Sequence, residues 1–101
     1  MILDDISRVI LERKANPTPE SYVASLLSAG KDGILKKIGE ESAEVIIASK
    51  SGNREEIIHE LADLWFHCMV LMAAEGLSHE DIFRELSARY GIRRGKQSGD
   101  D

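Results

Sequence analysis

Apolar residues recur at intervals of three and four through nearly the whole chain, and no stretch alternates in the manner of a half-buried strand. The pattern predicts helices throughout. From Leu3 to about Lys14 the spacing sets Ile6, Val9 and Ile10 on one side of a first helix. "NPTPE" then supplies Thr18 as an N-cap and Pro19 as the opening residue of a second helix, which runs to Ala29 and stops at Gly30. Asp32 is suited to cap a third helix, spanning about 33–50. Gly52 and Asn53 give a stop and a restart, with Glu56 three residues on as in a capping box. The fourth helix covers about 54–75 and ends at Gly76. Ser78 with Asp81 opens a fifth, which keeps Ile82, Phe83, Leu86 and Tyr90 on one stripe and closes near Gly91. The expectation is an all-α domain of about five helices over residues 1–91, followed by a polar, mobile tail at 92–101.

The fourth helix is apolar nearly all round, which is the mark of burial. Trp65, Phe66, Met69 and Met72 stand at core spacing, and Cys68 among them reads as a small core residue. A chain of 101 residues has little else to cover such a helix. The third and fourth helices are therefore expected to form a central antiparallel hairpin that completes a helical bundle in a homodimer.

Composition narrows the partners. Eighteen acidic against 13 basic residues give a formal charge of −5, which argues against nucleic acid and permits a local basic pocket for phosphates. One cysteine makes no intrachain disulfide and fits a reducing compartment. "MILDDISRVI" has acids where an export signal needs a basic region, and Leu61 to Ala74 is too short to span a bilayer. The protein is expected to be cytoplasmic, without a membrane.

Against this background the placement of acids is unusual. A helix turns about 100° per residue, so Glu41 lies only about 20° from Ile34, at the border of an apolar stripe shared with Ile38 and Val45. Glu40, Glu41 and Glu44 occupy one sector of the third helix, and Glu60, Asp63 and His67 one sector of the fourth. The hairpin sets these levels against each other. Glu44 lies eight residues before Gly52 and Glu60 eight after it; Glu41 lies eleven before and Asp63 eleven after. Carboxylates converging within one helical turn repel one another by an amount comparable to the stability of a whole domain. A cation set among Glu41, Glu44, Glu60 and Asp63 would neutralise them, and an all-oxygen set suits Mg²⁺ or Mn²⁺.

Each residue also has a plainer reading. Glutamates three or four apart are common on solvated helices, and a helical oligomerisation module would use these acids only to pair with a partner's lysines. His67 reads better as a satisfied core histidine than as a ligand, and His59 and His79, near helix ends, as surface residues. Glu56 with His59 spells the Glu-x-x-His of di-iron bundles, but that class needs the motif twice and it occurs once. Lys36, Lys37, Arg93, Arg94 and Lys96 are candidates to hold phosphates.

"EESAE", followed after fifteen residues by "ELAD", resembles the Glu-Glu-x-x-Glu and Glu-x-x-Asp signature of the all-α nucleoside triphosphate pyrophosphohydrolases, the MazG-like superfamily. More narrowly, "PTPESYVASLLSAGKDGILKKIGEESAEVIIASK" and "ELADLWFHCMVLMAAEGLSHEDIFREL" are similar to the phosphoribosyl-ATP pyrophosphohydrolase family over about residues 1–90. The resemblance implies Mg²⁺-dependent hydrolysis of the α–β phosphoanhydride of phosphoribosyl-ATP, the second step of histidine biosynthesis, in a homodimer. It implies Glu41, Glu44, Glu60 and Asp63 as metal ligands, with Glu40 orienting water or supporting the ligands. Glu41 or Glu44 is the expected general base, and Lys37, with Lys36, the expected phosphate contact. A house-cleaning nucleotide pyrophosphohydrolase of the same superfamily is the nearest alternative.

Overall fold

In the computed structural model, which describes residues 1–92, the chain forms five helices and, among the described residues, no strand. They are α1 (Ile2–Ala15), α2 (Tyr22–Ala29), α3 (Lys31–Ser51), α4 (Arg54–Glu75) and α5 (His79–Tyr90). The expected tail beyond Ile92, with Arg93, Arg94 and Lys96, lies outside the described residues.

Helix ends follow local chemistry, with two corrections. Thr18 and Pro19 do not open α2. They form a turn closed by the Ser21 N–H on the Thr18 carbonyl at 3.2 Å, and the buried Ser21 hydroxyl caps the helix by accepting from the Ala24 N–H at 3.0 Å. The buried run starts only at Val23, so the helix begins where packing offsets the cost of nucleating it. Nor does Asp32 cap α3. Gly30, at φ +92, ends α2 and is itself the N-cap of α3, leaving the exposed Asp32 in the first turn, where its charge complements the helix dipole.

The hairpin turn is built as the sequence predicts, with one added part. Gly52 closes α3 in the left-handed conformation (φ +77), and the Asn53 side chain accepts from the Glu56 N–H at 3.1 Å. The return half of the expected box runs through Ser51. Its hydroxyl accepts from the Asn53 N–H at 3.3 Å and lies 3.4 Å from the Glu56 carboxylate.

The α3–α4 pair makes the most extensive helix contact, and α1 and α2 pack across one side of it. Between these layers lies a core centred on Ile10, Ile34 and Val70, each at most 1% exposed. Burial of each contributes about 1.5–3 kcal/mol. The other side of the hairpin is bare. Ile58, Leu61, Trp65 and Cys68 follow one another at helical spacing along α4 and are all exposed, as are Leu35, Ile46 and Ile47 on α3. Trp65, 60% exposed, and Cys68 are therefore not core residues of this chain, because α1 and α2 cover only one face of α4. On α5 most of the expected stripe is open as well: Ile82, Leu86 and Tyr90 are exposed and Phe83 is half-buried, while His79, outside the stripe, is the one buried residue of the helix. The radius of gyration, 15.8 Å, exceeds the roughly 13 Å of a compact domain of this length.

By length and composition α4 could cross a membrane, contrary to the expectation drawn from Leu61–Ala74 alone. In this fold the helix instead carries Glu60 and Asp63 beside an acid of α3 and His67 bonded to α2.

Candidate metal centre

The site grows from the geometry of the hairpin. Glu41, on the inner border of α3, is 8% exposed, and Glu60 and Asp63, one turn apart on α4, are half-buried opposite it. One carboxylate oxygen from each lies within 4.8 Å of the others. Glu41 Oε2 stands 3.7 Å from the Lys37 ammonium, whereas its Oε1 is buried with no hydrogen-bond partner. An unpartnered carboxylate oxygen, buried beside two further acids, is an acceptor in need of a cation. The acids also act on one another. Desolvation raises the Glu60 carboxyl above its ordinary range; His59 opposes this, and the charges of Glu41, Glu44 and Asp63 add to it.

Glu44 and Glu40 stand further out. Glu44 is exposed and lies outside the three-acid group, near enough only for its charge to be felt at Glu60. Glu40, also exposed, pairs with Lys37 at 3.5 Å. Lys37 thus bridges the outer and inner acids of α3, while Lys36, one residue earlier and about 100° away, is exposed.

His67 is the satisfied core histidine the sequence predicts. It is 3% exposed, with Nδ1 at 2.8 Å from the Asp63 carbonyl and Nε2 at 2.8 Å from the Tyr22 hydroxyl. The sequence reading passed over Tyr22, whose place at the start of α2 gives no hint of a partner 45 residues away. His59 is exposed, as expected, and so is Glu56. His79 is a correction. It is 8% exposed, and its Nε2 meets Asp4 Oδ1 at 2.7 Å, joining the start of α5 to α1.

A cleft of about 530 Å³ between α1, α2 and the C-terminal end of α4 contains none of the hairpin acids. Its lysines are engaged locally, Lys14 on the Ala73 carbonyl at 2.9 Å and Lys31 on Glu75 at 3.0 Å. The chemistry-bearing groups lie instead on the hairpin, with Glu41 buried and Glu60 and Asp63 half-buried.

A sequence model described as phosphoribosyl-ATP pyrophosphohydrolase matches residues 3–90. Among similar curated proteins, the phosphoribosyl-ATP pyrophosphatase of Geotalea daltonii is 55% identical over 91 residues, 90% of this chain and 86% of that protein. Those of Methylococcus capsulatus and Bacillus cereus are 47% identical over 91 residues and 51% over 84. They cover 90% and 83% of this chain, and 87% and 78% of their own lengths. The match takes in all five helices and every acid of the hairpin, and the chain belongs to the phosphoribosyl-ATP pyrophosphohydrolase family.

Proposed function

We propose that this protein hydrolyses phosphoribosyl-ATP to phosphoribosyl-AMP and pyrophosphate in histidine biosynthesis, with Mg²⁺, or Mn²⁺ in its place, held by Glu41, Glu60 and Asp63. Glu44 completes the set once its exposed side chain turns inward. The observation that carries this reading is the buried, unpartnered Oε1 of Glu41 facing two more acids. All the donors are hard oxygens, as these ions prefer. When bound, the cation screens the anionic anhydride and acidifies water for in-line attack.

The chain's own groups then divide the work. Water attacks the α-phosphorus, the bond from that phosphorus to the bridging oxygen breaks, and pyrophosphate leaves with the bonding pair. The water proton passes to a carboxylate, for which Glu44 and Glu41 are the candidates. Glu40 orients water or restrains Lys37, to which it is already paired. Lys37, with Lys36 further out, balances the charge of the departing pyrophosphate.

The working unit is a homodimer of the cytoplasm acting on a small nucleotide, without nucleic acid or membrane. The bare stripe of Ile58, Leu61, Trp65 and Cys68 on α4 supports the dimer, since a second hairpin laid against it would complete a bundle. A pyrophosphate-release assay with phosphoribosyl-ATP, run with chelator and with millimolar Mg²⁺ or Mn²⁺, tests the reading. Metal-dependent release that disappears in Glu41→Gln is expected. Turnover in chelator, or a preference for ordinary or damaged nucleoside triphosphates, would refute it.

A further inference from the structure

The cleft between α1, α2 and the C-terminal end of α4 takes no part in the hairpin chemistry, and its charge runs against that of the chain. Arg13, Lys14 and Lys31 line it beside a single acid, Glu75, so a protein of formal charge −5 carries a local surplus of positive charge here. Its volume of about 530 Å³ falls within the roughly 300–1,000 Å³ of small-molecule sites, and Pro17 and Leu27 add apolar wall to the charges. The cleft belongs to the α1–α2 side of the hairpin, so a second chain laid on the bare stripe of α4 leaves it accessible.

Helix capping accounts for only part of this set. The Lys14 ammonium donates to the Ala73 carbonyl at 2.9 Å, which neutralises the negative end of α4 and uses one of its three hydrogens. Lys31 is the first residue of α3, the end at which a helix dipole disfavours a cation, and it pairs with Glu75 at 3.0 Å. Arg13 approaches Glu12 through Nε, at 3.4 Å, which leaves the two amino ends of its fork for a ligand. The positive end of α3 adds to the field of all three.

We propose that this cleft binds the phosphate of a phosphorylated sugar. A phosphomonoester carries about −1.5 to −2 at neutral pH, which matches three cations less one acid, whereas a carboxylate leaves part of that surplus unanswered. The cavity is larger than a bare phosphate needs, and its apolar wall suits the carbon face of a pentose. Lys31 stands ten residues before Glu41 and Glu75 twelve after Asp63, so the cleft lies about 15–18 Å from the acids along the hairpin. The buried His67 and Val70 occupy the interval on α4. Such a group has two sources: the phosphoribosyl end of phosphoribosyl-ATP reaching around α2, or a separate sugar phosphate. Only the first rests on the substrate reading above.

Calorimetry with ribose 5-phosphate in chelator is the test, because without metal the hairpin acids repel the probe and cannot supply the signal. Saturable binding at millimolar concentration is expected, with no binding of free ribose and weaker binding of inorganic phosphate. Arg13→Gln and Lys31→Gln should each weaken it about tenfold, the worth of one charge-assisted contact. Glu75→Gln should strengthen it, a gain that general damage to the fold does not produce, and Glu41→Gln should leave it unchanged. Lys14 is kept, since it caps Ala73. A wild-type protein that ignores ribose 5-phosphate, binding indifferent to the cleft variants, or equal affinity for inorganic phosphate would overturn the proposal. Pyrophosphate release then assigns the source. A raised KM for phosphoribosyl-ATP in Arg13→Gln, with ribose 5-phosphate competing, identifies the substrate's own end; an unchanged KM without competition identifies a separate ligand. A protein that binds ribose 5-phosphate as described but does not hydrolyse phosphoribosyl-ATP upholds the cleft and refutes the substrate reading.

Discussion

Glu41→Gln puts the metal reading at greatest risk, because the substitution preserves shape while removing the one deeply buried charge of the site. Without metal, Glu41 Oε1 has no partner, and a buried polar group left unsatisfied costs about 1–3 kcal/mol. The amide removes the charge and brings N–H donors to oxygens of Glu60 and Asp63, which lie within 4.8 Å of it. Against this gain stands the loss of the contact with Lys37. At 3.7 Å, and shared with Glu40, that pair contributes no more than about 1 kcal/mol. In chelator the variant should therefore be more stable by about 1–2 kcal/mol, which raises Tm by roughly 4–8 °C per kcal/mol in a domain of this size. Mg²⁺ at a hundred times its Kd adds about 2.7 kcal/mol to the wild type and little to a variant that has lost a hard anionic ligand. The order of the two melting temperatures should then reverse. Melts of both proteins in chelator and in millimolar Mg²⁺, at one protein concentration, make the comparison. A difference of the same size and sign in both buffers would mean that Glu41 is one more solvated acid, and that no cation sits among these carboxylates.

Other expectations follow from the same geometry. One alanine inserted between Ala48 and Ser49 rotates Glu41 about 100° relative to α4 while retaining every acid, so pyrophosphate release should fall by orders of magnitude; retained turnover would show that helical phase does not set the site. Trp65→Glu places a charge in the bare stripe of α4 and should shift the protein to monomer in sedimentation velocity with its helical circular dichroism intact; an unchanged sedimentation coefficient would remove that stripe from the interface. For Glu60 the sign follows from its raised carboxyl: an acid whose folded pKa lies above its unfolded one favours the fold at low pH, and that contribution is lost as pH rises through the folded value. In chelator, Tm should accordingly decline as pH rises above the ordinary glutamate value of 4.5, more steeply for the wild type than for Glu60→Gln, and equal slopes would count against the acid cluster.

The hairpin was legible because every signal for it is local. Gly52, Asn53 and the 3.6-residue period fix where α3 stops, where α4 starts and which acids come level, and the structure brings Glu41 to Asp63 and Glu60 as that counting requires. Counting residues gives a side chain's level and sector but not its rotamer, so the exposure of Glu44 was beyond it. Partners far away in sequence were equally out of reach. His79 looked like a surface residue because its acceptor, Asp4, is 75 positions distant, and the Tyr22 hydroxyl meets His67 only once α2 is laid across the hairpin. Trp65 and Cys68 expose a third limit. Hydrophobicity says that a face leaves water, without saying whose surface covers it. A helix apolar on all sides in a 101-residue chain is read as core by default, yet α1 and α2 are long enough to sheathe only the His67, Val70 and Ala73 side of α4. The unspent apolar area faces outward on the same hairpin that carries the acids. Burying it against a second chain would also deepen the water-exposed site, which is the physical reason for expecting assembly and activity to be lost together.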